Sequence, residues 1–282
     1  MSKIIKACIF DLGGTLVDSY SLTPIVSLKY LFRKHRIELP NNLIIDHMEL
    51  HKRDHISLIL NDKEISYQWL QEKGTEYSQG DIDKLYTYFK CIQGKYTKEH
   101  MKIIPQTWNC INTLKEMGIK SCVTTGFDKE QTNLVKQILE GREVHIDHYV
   151  SSLCIDKPGR PHPYMIHEIM DRLDIEDENT VLKVDDTNIG IQEGLNAGCW
   201  TVGVYRWSVY MGIMNDIEAN QIDNVIIDNY NDNYYQLSKK KIISKNRLGL
   251  SGAHYVVPTV GYIPNIIQNI NNMDTPLPKL NK

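Results

Sequence analysis

Nowhere does this 282-residue chain contain the roughly 20 consecutive apolar residues that a membrane-spanning helix needs, so no such helix is expected. An excess of one charge is missing too. With 32 Lys and Arg against 35 Asp and Glu, the formal net charge of -3 supplies no general attraction to nucleic acid or anionic lipid. No Cys-x-x-Cys pair occurs. Cys8, Cys91, Cys110, Cys122, Cys154 and Cys199 are scattered, several of them inside apolar runs where a free thiol behaves as a small hydrophobe, and a reducing compartment is expected. Internal repeats are absent, which argues against a repeat architecture. The amino terminus shows neither the long apolar stretch nor the small-residue cleavage site of a secretory leader. The expectation is a cytoplasmic protein with no nucleic-acid and no membrane partner.

What is present is an ordinary globular composition, 41% hydrophobic and 24% charged, at a length that suits one large domain or a core with a smaller companion. The chain is organised around IIKACIFDLGGTLVD, residues 4–18. Ile4, Ile5, Ala7, Cys8, Ile9 and Phe10 form a nearly unbroken apolar run, as in a parallel strand covered on both faces. Asp11 stands where that strand ends, and Gly13 and Gly14 allow the backbone to turn sharply beside it. In an open α/β sheet ligands collect beyond the carboxyl ends of strands, so a carboxylate at this place faces a crevice.

From about residue 21 to 98 the apolar spacing is helical throughout, with Ile25, Leu28, Leu31 and Phe32 on one face of a first helix and Leu85, Tyr88, Phe89 and Ile92 on one face of the last. Strand and helix patterns then alternate: strands at IKSCVTTG, His148 to Cys154, VLKVDDT and CWTVGV, with helices of about a dozen residues between them. Beyond Tyr205 the pattern weakens through an asparagine-rich stretch. One more strand follows in SGAHYVVPTV, then a terminal helix over Tyr262 to Met273, and the Pro-, Asn- and Lys-rich end is expected to fray. The predicted fold is α/β, a doubly wound parallel sheet with an inserted all-helical cap: residues 1–20 and 99–282 form the core, 21–98 the cap.

Several strand ends offer groups to one crevice. A carboxylate attacks phosphorus only if the repulsion between two anions is cancelled, and a hard divalent cation held by Asp11 and Asp186 does this. Thr125, with Gly126 at the same strand end, can donate a hydroxyl hydrogen bond to a phosphoryl oxygen. Arg160, between Gly159 and Pro161, can add a bidentate contact. Taken singly, each has a plainer explanation: a solvated arginine, a helix N-cap at Thr-Thr-Gly, a wet loop at Asp185 and Asp186.

FDLGGT, VTTG and KVDDT in this order, with a helical insert after the first, resemble the haloacid dehalogenase superfamily of aspartate-nucleophile hydrolases. The resemblance implies an aspartyl-phosphate formed on Asp11 and Mg2+ held by Asp11, the carbonyl of Gly13 and Asp186. Phosphatases and phosphomutases of that superfamily usually carry a second Asp at position 13 to protonate the leaving oxygen. Here it is Gly13. MELHKRDH, GRPHPYM, EGLNAGCWTVGV and SGAH resemble the phosphonoacetaldehyde hydrolase branch, which has a small residue there, and the likeness spans nearly the whole chain. It implies a Schiff-base lysine at Lys52, Met48 and His55 at the aldehyde end of the site, and a homodimer through cap helices. Hydrolysis of phosphonoacetaldehyde needs no acid at position 13, because an iminium lets the departing carbon leave as an enamine. Nearby cations would lower the proton affinity of Lys52; Arg53, His51 and His55 are adjacent. The chain departs from the family at Asp185, where Gly is usual, at Gly190, where an acid is usual, at Phe127 in place of Tyr, and at His162 in place of a usual aromatic. A phosphatase or phosphomutase, or a catalytically silent protein on the same fold, are the alternatives.

Overall fold

The computed structural model describes residues 5–48, 50–224 and 232–273. In chain order the elements are β1 (Ala7–Phe10), α1 (Leu22–Arg33), α2 (Asn41–Ile45), α3 (Lys52–Asn61), α4 (Lys63–Lys73), α5 (Gln79–His100), α6 (Thr107–Glu116), β2 (Lys120–Thr125), α7 (Lys129–Glu140), β3 (His148–Ser151), α8 (Tyr164–Arg172), β4 (Val181–Asp185), α9 (Asn188–Asn196), β5 (Trp200–Val204), α10 (Asp216–Asn224), α11 (Asp232–Leu250), β6 (Tyr255–Val257) and α12 (Ile263–Asn271). The six strands make one sheet in the order β3-β2-β1-β4-β5-β6, and every neighbouring pair is parallel. This is the doubly wound α/β architecture expected from the alternation. The chain builds outward from β1 to β3, then returns to the other side of β1 with β4. That reversal opens a crevice at the carboxyl end of β1, with Asp11 at its centre.

Strands β1, β4 and β5 are buried along their whole length, as their continuous apolar runs require. Helices α1 to α5 build a separate cluster around Ile25, Leu28, Phe32, Ile56, Trp69 and Phe89, closed from below by Val209 and Met214. The segment from Pro40 to Asn61 forms two helices, interrupted by the turn that carries Met48. The weak stretch beyond Tyr205 contributes two helices that periodicity did not separate. Leu248 of α11 lies over Gly203 of β5, where a Cβ would stand 3.0 Å from its own; Gly203 admits the helix against the sheet. The expected fraying end lies outside the described residues. All six cysteines are free, and burial raises the thiols of Cys8, Cys110, Cys122 and Cys199, which makes them inert packing groups.

The path from β1 into α1 is tightly held. Asp18, Tyr20 and Ser21 all have left-handed backbone angles, with φ of 55°, 65° and 53°. For a tyrosine this is unfavourable unless the surroundings impose it. Here the amide of Asp18 donates to the carbonyl of Lys102, joining the outgoing and returning connections, and the amide of Tyr20 donates to the carbonyl of Trp207. Arg206 Nη1 donates to the Tyr20 hydroxyl at 2.6 Å. The Asp18 carboxylate accepts the Thr23 amide at the start of α1 (3.0 Å), a bond that the N-cap Ser21 does not supply. Burial pushes the Asp18 carboxyl up to about 7 despite that bond. A carboxyl raised in the folded state favours folding most below its unfolded value near 4, and that contribution is lost as pH rises through 7. Asp18→Asn keeps an acceptor for Thr23 and removes the charge. Its stability advantage over the parent is expected to grow between pH 4 and 7 and level off above, approaching about 4 kcal/mol. Melting temperatures across that range check this, and a flat difference would refute it.

Candidate active site

The crevice is lined from the sheet by Asp11, Gly13, Thr125, Gly126, Arg160 and Asp186. Asp11 follows β1 and donates its amide to the carbonyl of Val184, which fixes it beside the end of β4. Thr125 closes β2; its hydroxyl oxygen accepts the amide of Phe127 at 3.1 Å, leaving the hydroxyl proton available to a ligand. Oxygens of Asp11, Asp185 and Asp186 lie within 4.8 Å of one another. Burial lifts the Asp11 carboxyl to about 6, against the pull of Arg160.

Arg160, expected to reach a phosphate, is largely occupied by protein acceptors. Its Nη2 stands 2.9 Å from Asp11 Oδ1 and donates to the carbonyl of Thr124 at 2.7 Å, while its Nε donates to Glu193 Oε2 at 2.9 Å. Lys183, fully buried in β4, joins the same network at 3.0 Å from Asp185 and 3.2 Å from Glu193, and donates to the Thr124 hydroxyl at 2.8 Å. Burial alone would raise the Asp185 carboxyl, but Lys183 and Arg160 outweigh it and hold the group below its ordinary value. Sequence reasoning passed over Lys183 and Glu193. The signal was a lysine in the middle of VLKVD, a run whose other members must be buried. Four buried carboxylates, Asp11, Asp185, Asp186 and Glu193, face two buried cations, Lys183 and Arg160. The surplus of two negative charges beside three converging acids fits a hard divalent cation.

Two glycines make room for these acids. Gly14 has φ of 76°, and a Cβ there would lie 2.4 Å from Asp186 Oδ2. A Cβ on Gly190 would lie 1.9 Å from Asp185 Cγ. The departures at 185 and 190 are therefore linked: the Asp185 carboxylate, accepting from the amide and hydroxyl of Thr187 (3.1 and 2.6 Å), fills the space that a side chain at 190 would take. Gly13 differs. A Cβ there would meet only Ser21 and Phe127 at 3.6 and 3.7 Å, ordinary contacts.

The helical block supplies the opposite wall. Lys52, Met48, His51, Tyr86, Lys90 and Gln93 line the same cavity as Asp11. Lys52 opens α3, and its Nζ donates to the carbonyls of Met48 and Leu50. His55 does not line the cavity. It is fully buried behind it, its Nε2 is bonded to the carbonyl of Leu43 at 2.8 Å, and burial pushes it down to about 3. Burial likewise lowers His51, whose Nε2 meets the Tyr86 hydroxyl at 3.2 Å. Arg53 is paired with Asp83 at 2.7 Å on the outer side of α3. These neighbours expected to act on Lys52 thus contribute little positive charge: two imidazoles are neutral near pH 7, and the guanidinium is matched by an acid.

The family model described as haloacid dehalogenase-like hydrolase matches residues 8–204. The phosphonoacetaldehyde hydrolase of Parabacteroides distasonis is 30% identical over 276 residues, 96% of this chain and 99% of its own. That of Bacillus cereus is 30% identical over 274 residues, 96% and 98% of the two chains. Among solved structures, a phosphonoacetaldehyde hydrolase-like protein from Oleispira antarctica superposes with a TM-score of 0.83 at 28% identity, covering 96% of this chain and 94% of that one.

The steric link between positions 185 and 190 is open to a mutant cycle. Gly190→Ala is expected to destabilise the parent by about 3 kcal/mol, by overlap with Asp185. In an Asp185→Gly background the same change should cost under about 1 kcal/mol, since alanine suits a helix. Equal costs in the two backgrounds, measured by denaturant unfolding, would show that Asp185 does not occupy that space.

Proposed function

The chain belongs to the haloacid dehalogenase-like hydrolases, and from that premise we propose that it hydrolyses the carbon-phosphorus bond of phosphonoacetaldehyde to acetaldehyde and phosphate. The observation that carries this reading is one cavity lined on one side by Asp11 and on the other by Lys52. Residues 21–98 are read as a lid on a core formed by 1–20 and 99–282, hinged near 19–23 and 97–104. Such a lid lets the amine and the carboxylate meet around one small substrate and keeps bulk water out.

In this reading the Lys52 amine attacks the aldehyde carbon and water is lost, giving an iminium. Asp11, held ionised by Arg160, attacks phosphorus. The carbon-phosphorus bond breaks and its electron pair passes to carbon, which departs as an enamine. Water then cleaves the acyl phosphate, freeing Asp11 and phosphate. The enamine takes up a proton at carbon, and a second water releases acetaldehyde from Lys52. Thr125 donates its free hydroxyl proton to a phosphonate oxygen, beside the open backbone at Gly126. Mg2+, held by Asp11, the Gly13 carbonyl and Asp186, would offset the charge of the phosphonate so that a carboxylate can approach it. Met48 packs beside the amine, while His55 supports α3 from behind. No proton need reach the leaving carbon while the bond breaks. Gly13, which carries no acid although a Cβ there meets only ordinary contacts, therefore favours this chemistry over phosphate-ester hydrolysis.

Borohydride added with phosphonoacetaldehyde should trap a reduced two-carbon adduct on Lys52, located by peptide mass spectrometry. Lys52→Arg should lower phosphate release by about a thousandfold or more, as expected when a covalent nucleophile is lost. Full turnover by that variant would rule the imine out.

A further inference from the structure

Phosphonoacetaldehyde engages the core edge through its phosphonate and Lys52 through its carbonyl, and two polar side chains of α5 in the same cavity are then left without a role. Gln93 lines the cavity and is only 6% exposed, yet its amide has no hydrogen-bond partner among the described residues. Lys90 also lines the cavity, half-buried, and pairs with no acid among the described residues; its ammonium lies 5.5 Å from the centre of the Tyr86 ring. Tyr86, Lys90 and Gln93 follow at intervals of four and three residues on one face of α5. The Tyr86 hydroxyl at the head of this row meets His51, the residue next to Lys52.

Among the described residues the Gln93 amide and the Lys90 ammonium have no protein acceptor, and both open onto the cavity, where water or a ligand bonds them. Both can donate, and a carboxylate is the group that accepts from both at once. We propose that Lys90 and Gln93 form a carboxylate subsite, and that the preferred substrate is a β-oxo phosphonate whose carbonyl carbon bears a carboxylate. This rests on the imine and carbon-phosphorus chemistry proposed above, and makes phosphonoacetaldehyde the lesser substrate of the same site. The reaction balances in the same way: the iminium forms at the ketone carbon, the methylene carbon departs from phosphorus as the enamine, and water restores a 2-oxo acid and phosphate.

The experiment compares 3-phosphono-2-oxopropanoate with phosphonoacetaldehyde in the parent, Gln93→Leu, Lys90→Met and Lys90→Arg. The parent is expected to favour the carboxylated probe at least tenfold in kcat/KM. The first two variants should bring that ratio close to one, while Lys90→Arg, which keeps the charge, should retain most of it. Calorimetry with inert ligands gives a readout independent of the amine. 3-Phosphonopropanoate should bind more tightly than ethylphosphonate in the parent, and the difference should vanish in Gln93→Leu. Borohydride adducts on Lys52 with both probes, but no preference for the carboxylated one, would overturn this proposal and leave the wider reading standing. Absence of adducts with either probe would overturn the imine chemistry and this proposal together.

Discussion

The site depends on a carboxylate kept in place by a buried guanidinium. The side chains of Asp11 and Arg160 are 10% and 7% exposed and stand 2.9 Å apart. Neither would persist alone there, because an isolated charge out of water costs several kcal/mol even after relaxation. Glu193, Asp185 and Lys183 complete a set in which each ion is partnered by another. With Asp186 beside it, the set carries two surplus negative charges, concentrated at the end of β1 where the sheet reverses direction. An imbalance of that sign, beside three converging acids, suits a hard divalent cation.

The helical block contributes the opposite character. Among the described residues its face toward the crevice holds two amines, an amide and a tyrosine hydroxyl, and no buried acid. Acids on the sheet side and amines on the helical side suit a substrate with a phosphonate at one end and an electrophilic carbon at the other. The two halves are joined where Asp18, Tyr20 and Ser21 adopt left-handed angles. Tyr20 is clamped there by the loop carrying Arg206 and Trp207. That loop follows β5, so the sheet itself holds the base of the helical block.

Positions that depart from the family pattern have different physical meanings. Asp185 and Gly190 compensate each other in space, and the exchanged carboxylate gains Thr187 as an anchor and Lys183 as a counter-charge. Phe127 keeps its place against the core and on the cavity wall while losing a hydroxyl. At Gly13 a Cβ would make only ordinary contacts, unlike at Gly14 and Gly190.

The architecture was legible from the amino-acid order because buried parallel strands and amphipathic helices impose distinct spacings, and because the order of FDLGGT, VTTG and KVDDT matches the order in which strands reach the crevice. Asp11, Gly13, Thr125, Gly126, Arg160, Asp186, Met48 and Lys52 are all found on the cavity wall. Local pattern could not show what depends on contacts distant in the chain. Lys183 reads as an interruption in an apolar run until Glu193 and Thr124 are seen around it. His55 reads as a partner of Lys52 until the carbonyl of Leu43 claims it. Arg160 reads only as a phosphate ligand until Asp11 and Glu193 are seen against its donors. Sequence determined the elements, their order and the chemistry available at each strand end. Only the tertiary structure decided which charges pair and which polar groups of α5 face the cavity, because both depend on distances between segments that no spacing along the chain records.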